Sequence, residues 1–156
     1  MTEPQLKPST PELLVNFRQA LAARQFDQAE RIGEIVSVRE PGNEDVIAFL
    51  VSRSVARNEL ERALRFANIA VQSRPDSARL QFYLGTALAA ARDFEAALEA
   101  FWQARKHDPA MMVAALWQAD QELALGRDEA ALRSQLQALT LAERSGQLTG
   151  NAGEAA

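Results

Sequence analysis

His107 is the only histidine of the chain and there is no cysteine, so the side chains that most often carry proton transfer, nucleophilic attack or metal ligation near neutral pH are almost absent. Counting alone excludes an HExxH zinc site and a two-histidine, one-carboxylate iron site, and no EF-hand loop occurs. His107 stands in the run Lys106, His107, Asp108, Pro109 at an expected helix end, where a charged imidazole suits the negative end of the dipole. Without an orienting partner it is poorly equipped as a base. Glu95 and Glu99 lie one helical turn apart, a spacing at which two carboxylates could share acid and base roles. Phe94, Ala97, Leu98 and Phe101 claim the other side of that helix, which leaves the acids as a solvated face. Arg62, Arg65, Arg105 and Lys106 read likewise as helix-surface charges. The seven glycines are scattered at turns and toward the end of the chain, not gathered into a GxGxxG or Walker loop. The sequence therefore predicts no catalytic residue, no metal site and no cofactor, and no enzyme within these residues.

Composition narrows the remaining classes. Of 156 residues, 47% are hydrophobic and 24% charged, the balance of one globular domain. A net charge of −4, with arginines and acids interspersed, leaves no basic stripe to neutralise phosphates, so nucleic acid is not an expected partner. Met1 to Ser9 has no apolar signal-peptide segment, and the longest small-apolar stretch, Leu84 to Ala91, is far short of the roughly 20 residues that span a bilayer. No membrane anchor is expected, and with no cysteine the chain is placed by default in the cytoplasm.

The elements that position everything else come from an internal repeat of 34 residues. Pro41, Pro75 and Pro109 are spaced by that interval, and so are Ala29, Ala63, Ala97 and Ala131. Phe26, Leu60 and Phe94 form a third column, each three residues before its alanine, and Ala70, Ala104 and Ala138 a fourth. A large apolar residue three before a small one puts both on one helix face, where the alanine admits a neighbouring helix closely and the larger side chain fills the gap beside it. Each proline marks a helix end. The pattern predicts helices over 11–23, 27–39, 44–57, 60–73, 77–91, 94–107, 111–125 and 128–144, with Thr10 as first N-cap and Pro11 as first helical residue. Residues 1–9 and 146–156 are expected to be disordered or linker.

The 34-residue helix-turn-helix unit resembles the tetratricopeptide repeat (TPR) family. The third copy carries the likeness best: Leu84 and Gly85 match the Leu-Gly pair, Leu88 takes the tyrosine slot, and Ala97, Phe101, Ala104, Asp108 and Pro109 fill the later slots, with Gln81 in place of the tryptophan. The second copy keeps Leu50, Ala63, Ala70 and Pro75, with Val51 for the glycine and Ser54 for the tyrosine. The first keeps Leu13, Phe26, Ala29 and Pro41 but has Phe17 where glycine is usual, and the fourth keeps Ala119, Gly126, Ala131 and Ala138 without a closing proline. The resemblance implies an all-α, right-handed solenoid of about four repeats, at 10–43, 44–77, 78–111 and 112–145, forming a TPR domain over 10–145.

It also implies a function. First helices of TPR repeats line a concave groove, which here gives a column of Leu14, Ala48, Phe82 and Leu116 with Val15, Phe49, Tyr83 and Trp117 beside it. Arg18, Ser52, Thr86 and Asp120 form a polar column, and Leu21, Val55, Ala89 and Leu123 the next. Phe49 divides evenly between core and groove, whereas Tyr83 and Trp117 carry polar tips that suit a half-wet binding anchor. Chaperone-binding members grip a terminal carboxylate with Lys and Asn in these slots; neither occurs here, so that activity is not implied. The expected function is a protein-interaction scaffold that holds a peptide or helix in an apolar groove. Two alternatives accompany it. The run Leu139 to Gly146 resembles the close of the TPR region in bacterial aspartyl/asparaginyl β-hydroxylases, which implies an N-terminal part of a larger enzyme whose histidine ligands lie elsewhere. A self-assembling structural protein is the other, since stacked repeats have exposed ends. The last helix carries Leu132, Leu136, Leu139 and Leu141, more apolar surface than its own pair covers, and predicts a homo-oligomer or a domain contact at that edge.

Overall fold

The structure, a computed structural model, describes residues 7–146. Among them are eight helices and no strand: α1 (Thr10–Ala22), α2 (Phe26–Arg39), α3 (Glu44–Ala56), α4 (Leu60–Ser73), α5 (Ala78–Ala90), α6 (Phe94–His107), α7 (Met112–Ala124) and α8 (Asp128–Arg144). Residues 7–9, the described part of the expected N-terminal segment, precede α1, and the cap falls one residue earlier than expected. Ser9, not Thr10, caps α1: its hydroxyl accepts from the Glu12 amide while Glu12 reaches back to the Ser9 amide, and Pro11 becomes the second helical residue. The capping box wins because it satisfies two orphan amides where Thr10 alone would satisfy one. The tail expected from residue 146 onward falls, beyond Gly146, outside the described residues, as do residues 1–6.

The column prolines Pro41, Pro75 and Pro109 each stand two residues past the end of a second helix. A further column shows only in the backbone. Arg24, Asn58, Arg92 and Gly126, again 34 apart, have φ of 56°, 59°, 64° and 72°. Each follows a first helix, and the next amide reaches five residues back, Gln25 to Ala20, Glu59 to Ser54, Asp93 to Leu88 and Arg127 to Glu122, which is the Schellman closure of a helix C-terminus. Every first helix is thus turned into its partner by the same left-handed residue.

Consecutive helices pack on one another along the chain, and α3 also touches α5. The alanines of the repeat lie where the sequence puts them: Ala29, Ala63, Ala97, Ala131, Ala70, Ala104 and Ala138 are all buried. Phe17, which departs from the repeat's glycine, is also buried and faces Gly33 of α2, where a Cβ would lie 3.4 Å from the Phe17 ring, an ordinary contact. The third pair exchanges the roles. Gly85 of α5 faces Phe101 of α6, and a Cβ on Gly85 would meet that ring at 2.5 Å. Phe17 and Gly33, like Gly85 and Phe101, are 16 residues apart, so ring and glycine swap helices within an unchanged frame.

The first two pairs are joined by charge. Glu30 of α2, 8% exposed, accepts from Arg53 and Arg57 of α3 and Arg62 of α4, while Asp27 binds Arg53 and Arg57 and Glu34 binds Arg62. Burial pushes the Glu30 carboxyl up, but the hydrogen bonds from Arg62 and Arg53 and the charges of Arg62 and Arg57 outweigh it and hold the group at about 2. Arg62 is therefore not the plain surface charge its sequence context implies. Glu95 and Glu99 do form a solvated face, Glu95 paired with Arg127 at 2.7 Å and Glu99 accepting from Gln103.

Candidate binding surface

The first-helix column splits into two aromatic groups. In the first, Phe49 stands edge-on to Phe17 with ring centroids 5.5 Å apart and tilts over Phe26 at 6.5 Å, so it serves the first core, as Leu14 does. Ala48 is 8% exposed and offers almost no surface to a ligand. Around them Val15, Arg18 and Ser52 are exposed.

In the second group Phe82 joins three rings: Tyr83 at 5.4 Å, Phe101 at 5.7 Å and Trp117 at 6.0 Å, with Trp117 also 5.8 Å from Phe101. Phe101 is fully buried and anchors the group, whereas Phe82 and Tyr83 are half-buried and Trp117 is 37% exposed. Leu116 at 44%, Val113 and Leu123 extend this surface along α7, with Asp120 exposed among them. Val113 was not among the sequence's candidates, although its i, i+3, i+4 spacing with Leu116 and Trp117 marks the same face. Thr86 is half-buried and its hydroxyl bonds the Tyr83 carbonyl of its own helix. At the other end of the patch Asp45 outweighs burial and raises the Arg79 guanidinium above its ordinary value, with Tyr83 adding to the effect. The structure thus brings Phe82, Tyr83, Leu116 and Trp117 into one accessible apolar surface and sets Leu14, Ala48 and Phe49 apart from it.

The described residues hold no group of three or more His, Asp or Glu suited to a metal ion, and no helix among them is long and apolar enough to cross a membrane. His107 closes α6 behind Arg105 and Lys106, in keeping with its dipole reading.

An all-helical array of this kind has a TPR-type fold. No protein-family model and no curated protein matches the sequence. Solved structures do share the fold. A crystal structure of MamA aligns at TM-score 0.77 and 16% identity, over 89% of this chain and 81% of that one. MamA from Desulfovibrio magneticus RS-1 aligns at TM-score 0.74 and 18% identity, over 88% and 77%. YrrB, described as a TPR protein with an unusual peptide-binding site, aligns at TM-score 0.71 and 18% identity, over 85% and 69%.

Proposed function

We propose that the chain is a non-catalytic interaction scaffold of the cytoplasm, built as a right-handed solenoid of four helix pairs, and that α5 and α7 hold an apolar peptide or helix against Phe82, Tyr83 and Trp117. The observation that carries this is the connected ring cluster, backed by buried Phe101 and left accessible at Trp117. Rings braced from behind lose little freedom when a ligand covers them, which is the behaviour of a binding anchor. The peptide-binding site named for YrrB, which has the same fold, adds support. Peptides selected from a displayed random library test the reading. The double substitution Phe82→Ala, Trp117→Ala should weaken the selected peptides by about 2 kcal/mol, roughly thirtyfold in Kd, with helicity retained. Unchanged affinity in the folded variant would return these rings to the core.

A second reading rests on the C-terminal edge. Glu30, Leu64, Leu98 and Leu132 share one repeat column; Leu64 packs into the second core, whereas Leu132 is 64% exposed beside Leu136 at 64% and Leu139 at 54%. A residue of the column that packs into a core elsewhere meets no further pair among the described residues here, which favours a contact between two copies at α8. Sedimentation should show self-association that Leu136→Glu or Leu139→Glu abolishes. A strictly monomeric parent at high concentration removes the proposal.

A further inference from the structure

Glu122 of α7 is 6% exposed, yet its carboxylate has only neutral donors: Gln118 Nε2 at 3.2 Å and Ser134 Oγ at 2.8 Å. No Arg, Lys or His among the described residues forms an ion pair with it, and residues 1–6 and 147–156 contain none of these side chains. An ionised carboxylate at this depth is costly without a counter-charge. The fold shows how it meets that need elsewhere, since Glu30, buried to 8%, draws in three guanidinium groups.

Space for such a group exists at Glu122. A cavity of about 370 Å³ opens over Glu122 between α6 and the start of α8, with Leu98, Glu99 and Trp102 on its walls. Its one cation, Arg127, is already engaged by Glu95. The Trp102 ring is 48% exposed, and the Lys106 ammonium lies 5.4 Å from its centroid, so the indole already attracts positive charge. We infer that this crevice receives an arginine side chain of another polypeptide, its guanidinium on the Glu122 carboxylate and its plane against Trp102. Arginine fits better than lysine, because a planar fork can bond a carboxylate and stack on an indole at once. A second cavity, of about 380 Å³, shares Trp102 and Gln118 with the first and is flanked by Arg105 and Lys106. Negative charge followed by positive charge along one crevice selects a segment in which an acidic residue accompanies the arginine. This surface lies on the second-helix side and is independent of the Phe82 and Trp117 reading.

The test titrates the whole chain by calorimetry with a capped peptide, acetyl-Gly-Arg-Gly-Asp-Gly-amide, and with its citrulline counterpart, while the Gln118 side-chain amide is followed by NMR. The arginine peptide should bind saturably and shift the Gln118 signal; the citrulline peptide should do neither. Glu122→Gln should weaken binding by roughly tenfold or more, as loss of a charge-assisted hydrogen bond implies. Trp102→Leu, at an exposed position, should weaken it several-fold and keeps the test valid if the first variant is unstable. Equal binding of both peptides, or full affinity in either folded variant, overturns the inference. Binding of free arginine without binding of the capped peptide overturns the polypeptide source and points to a small-molecule site.

Discussion

Glu30 and Glu122 are buried to nearly the same depth and are served in opposite ways. Three arginines of the next pair close on Glu30, while an amide and a hydroxyl close on Glu122, with Arg105 in turn donating to both Gln118 and Gln137. Arg105 is therefore part of an internal chain of hydrogen bonds and not the free surface charge that its sequence context implies. The frame is the same in both regions, since the repeat keeps its left-handed turns and its buried alanines throughout. What differs is whether the chain supplies the counter-charge itself. Where it does, the junction is self-contained; where it does not, the junction is open to an outside cation.

The largest expected effect lies at the closed junction. Glu30→Gln keeps the shape and removes the charge, leaving Arg53 to Asp27 alone and Arg62 to the more exposed Glu34 and Glu59. With the folded group at about 2 against an ordinary value of 4.5, the charge contributes (4.5 − 2) × 1.36, about 3 kcal/mol, an upper figure for this partly solvated network. The folded value is depressed, so this stability is present above about pH 4.5 and drains away as pH falls toward 2. Denaturant midpoints should drop sharply at pH 7, and the acid limb of the parent between pH 4.5 and 2 should be shallower in the variant. Coincident acid limbs would mean that the network carries no such coupling.

Between the two junctions sits the third pair, whose two helices meet at the Gly85 and Phe101 contact. Gly85→Ala drives a methyl into the Phe101 ring, which Phe82 and Trp117 hold from the far side, and should cost about 1–3 kcal/mol. Gly33→Ala meets the tip of Phe17 only at 3.4 Å, and the better helix propensity of alanine should leave it within about 0.5 kcal/mol of the parent. Thermal unfolding of the two variants side by side checks the asymmetry; equal losses would break it.

Much of this was legible in the sequence because it depends on single residues at a fixed period. Pro41, Pro75 and Pro109 mark helix ends whatever their surroundings, and all eight helices start and stop within one residue of the expected bounds. The facing of Phe17 and Gly33 was not legible in the same way, since it is a pair property: read alone, Phe17 is a departure from the repeat, and only the partner 16 residues on shows the exchange. The left-handed turns were marked by a glycine at Gly126 alone, with arginines and an asparagine at the other three positions. Ion networks hid for a related reason. Arg53, Arg57 and Arg62 have ordinary surface spacing, and what buries them against Glu30 is the approach of a different helix pair, which no local pattern encodes.

The smallest expected effect is also the one that sets the two carboxylates apart most directly. Glu122→Gln is the same chemical change as Glu30→Gln, at similar burial, and it should have the opposite sign. The new amide can accept from Gln118 Nε2 through its oxygen and donate to the Ser134 hydroxyl, so both existing contacts keep a partner. What disappears is a buried charge with no ionic partner, and the desolvation relieved offsets the weakening of its two hydrogen bonds. Stability should stay level or rise by about 0.5–1 kcal/mol, in the range of one net hydrogen-bond difference, which a denaturant midpoint resolves when both variants are measured in one buffer. A loss as large as that of Glu30→Gln would show that Glu122 already has its counter-charge inside the chain, and the contrast between the two junctions would collapse.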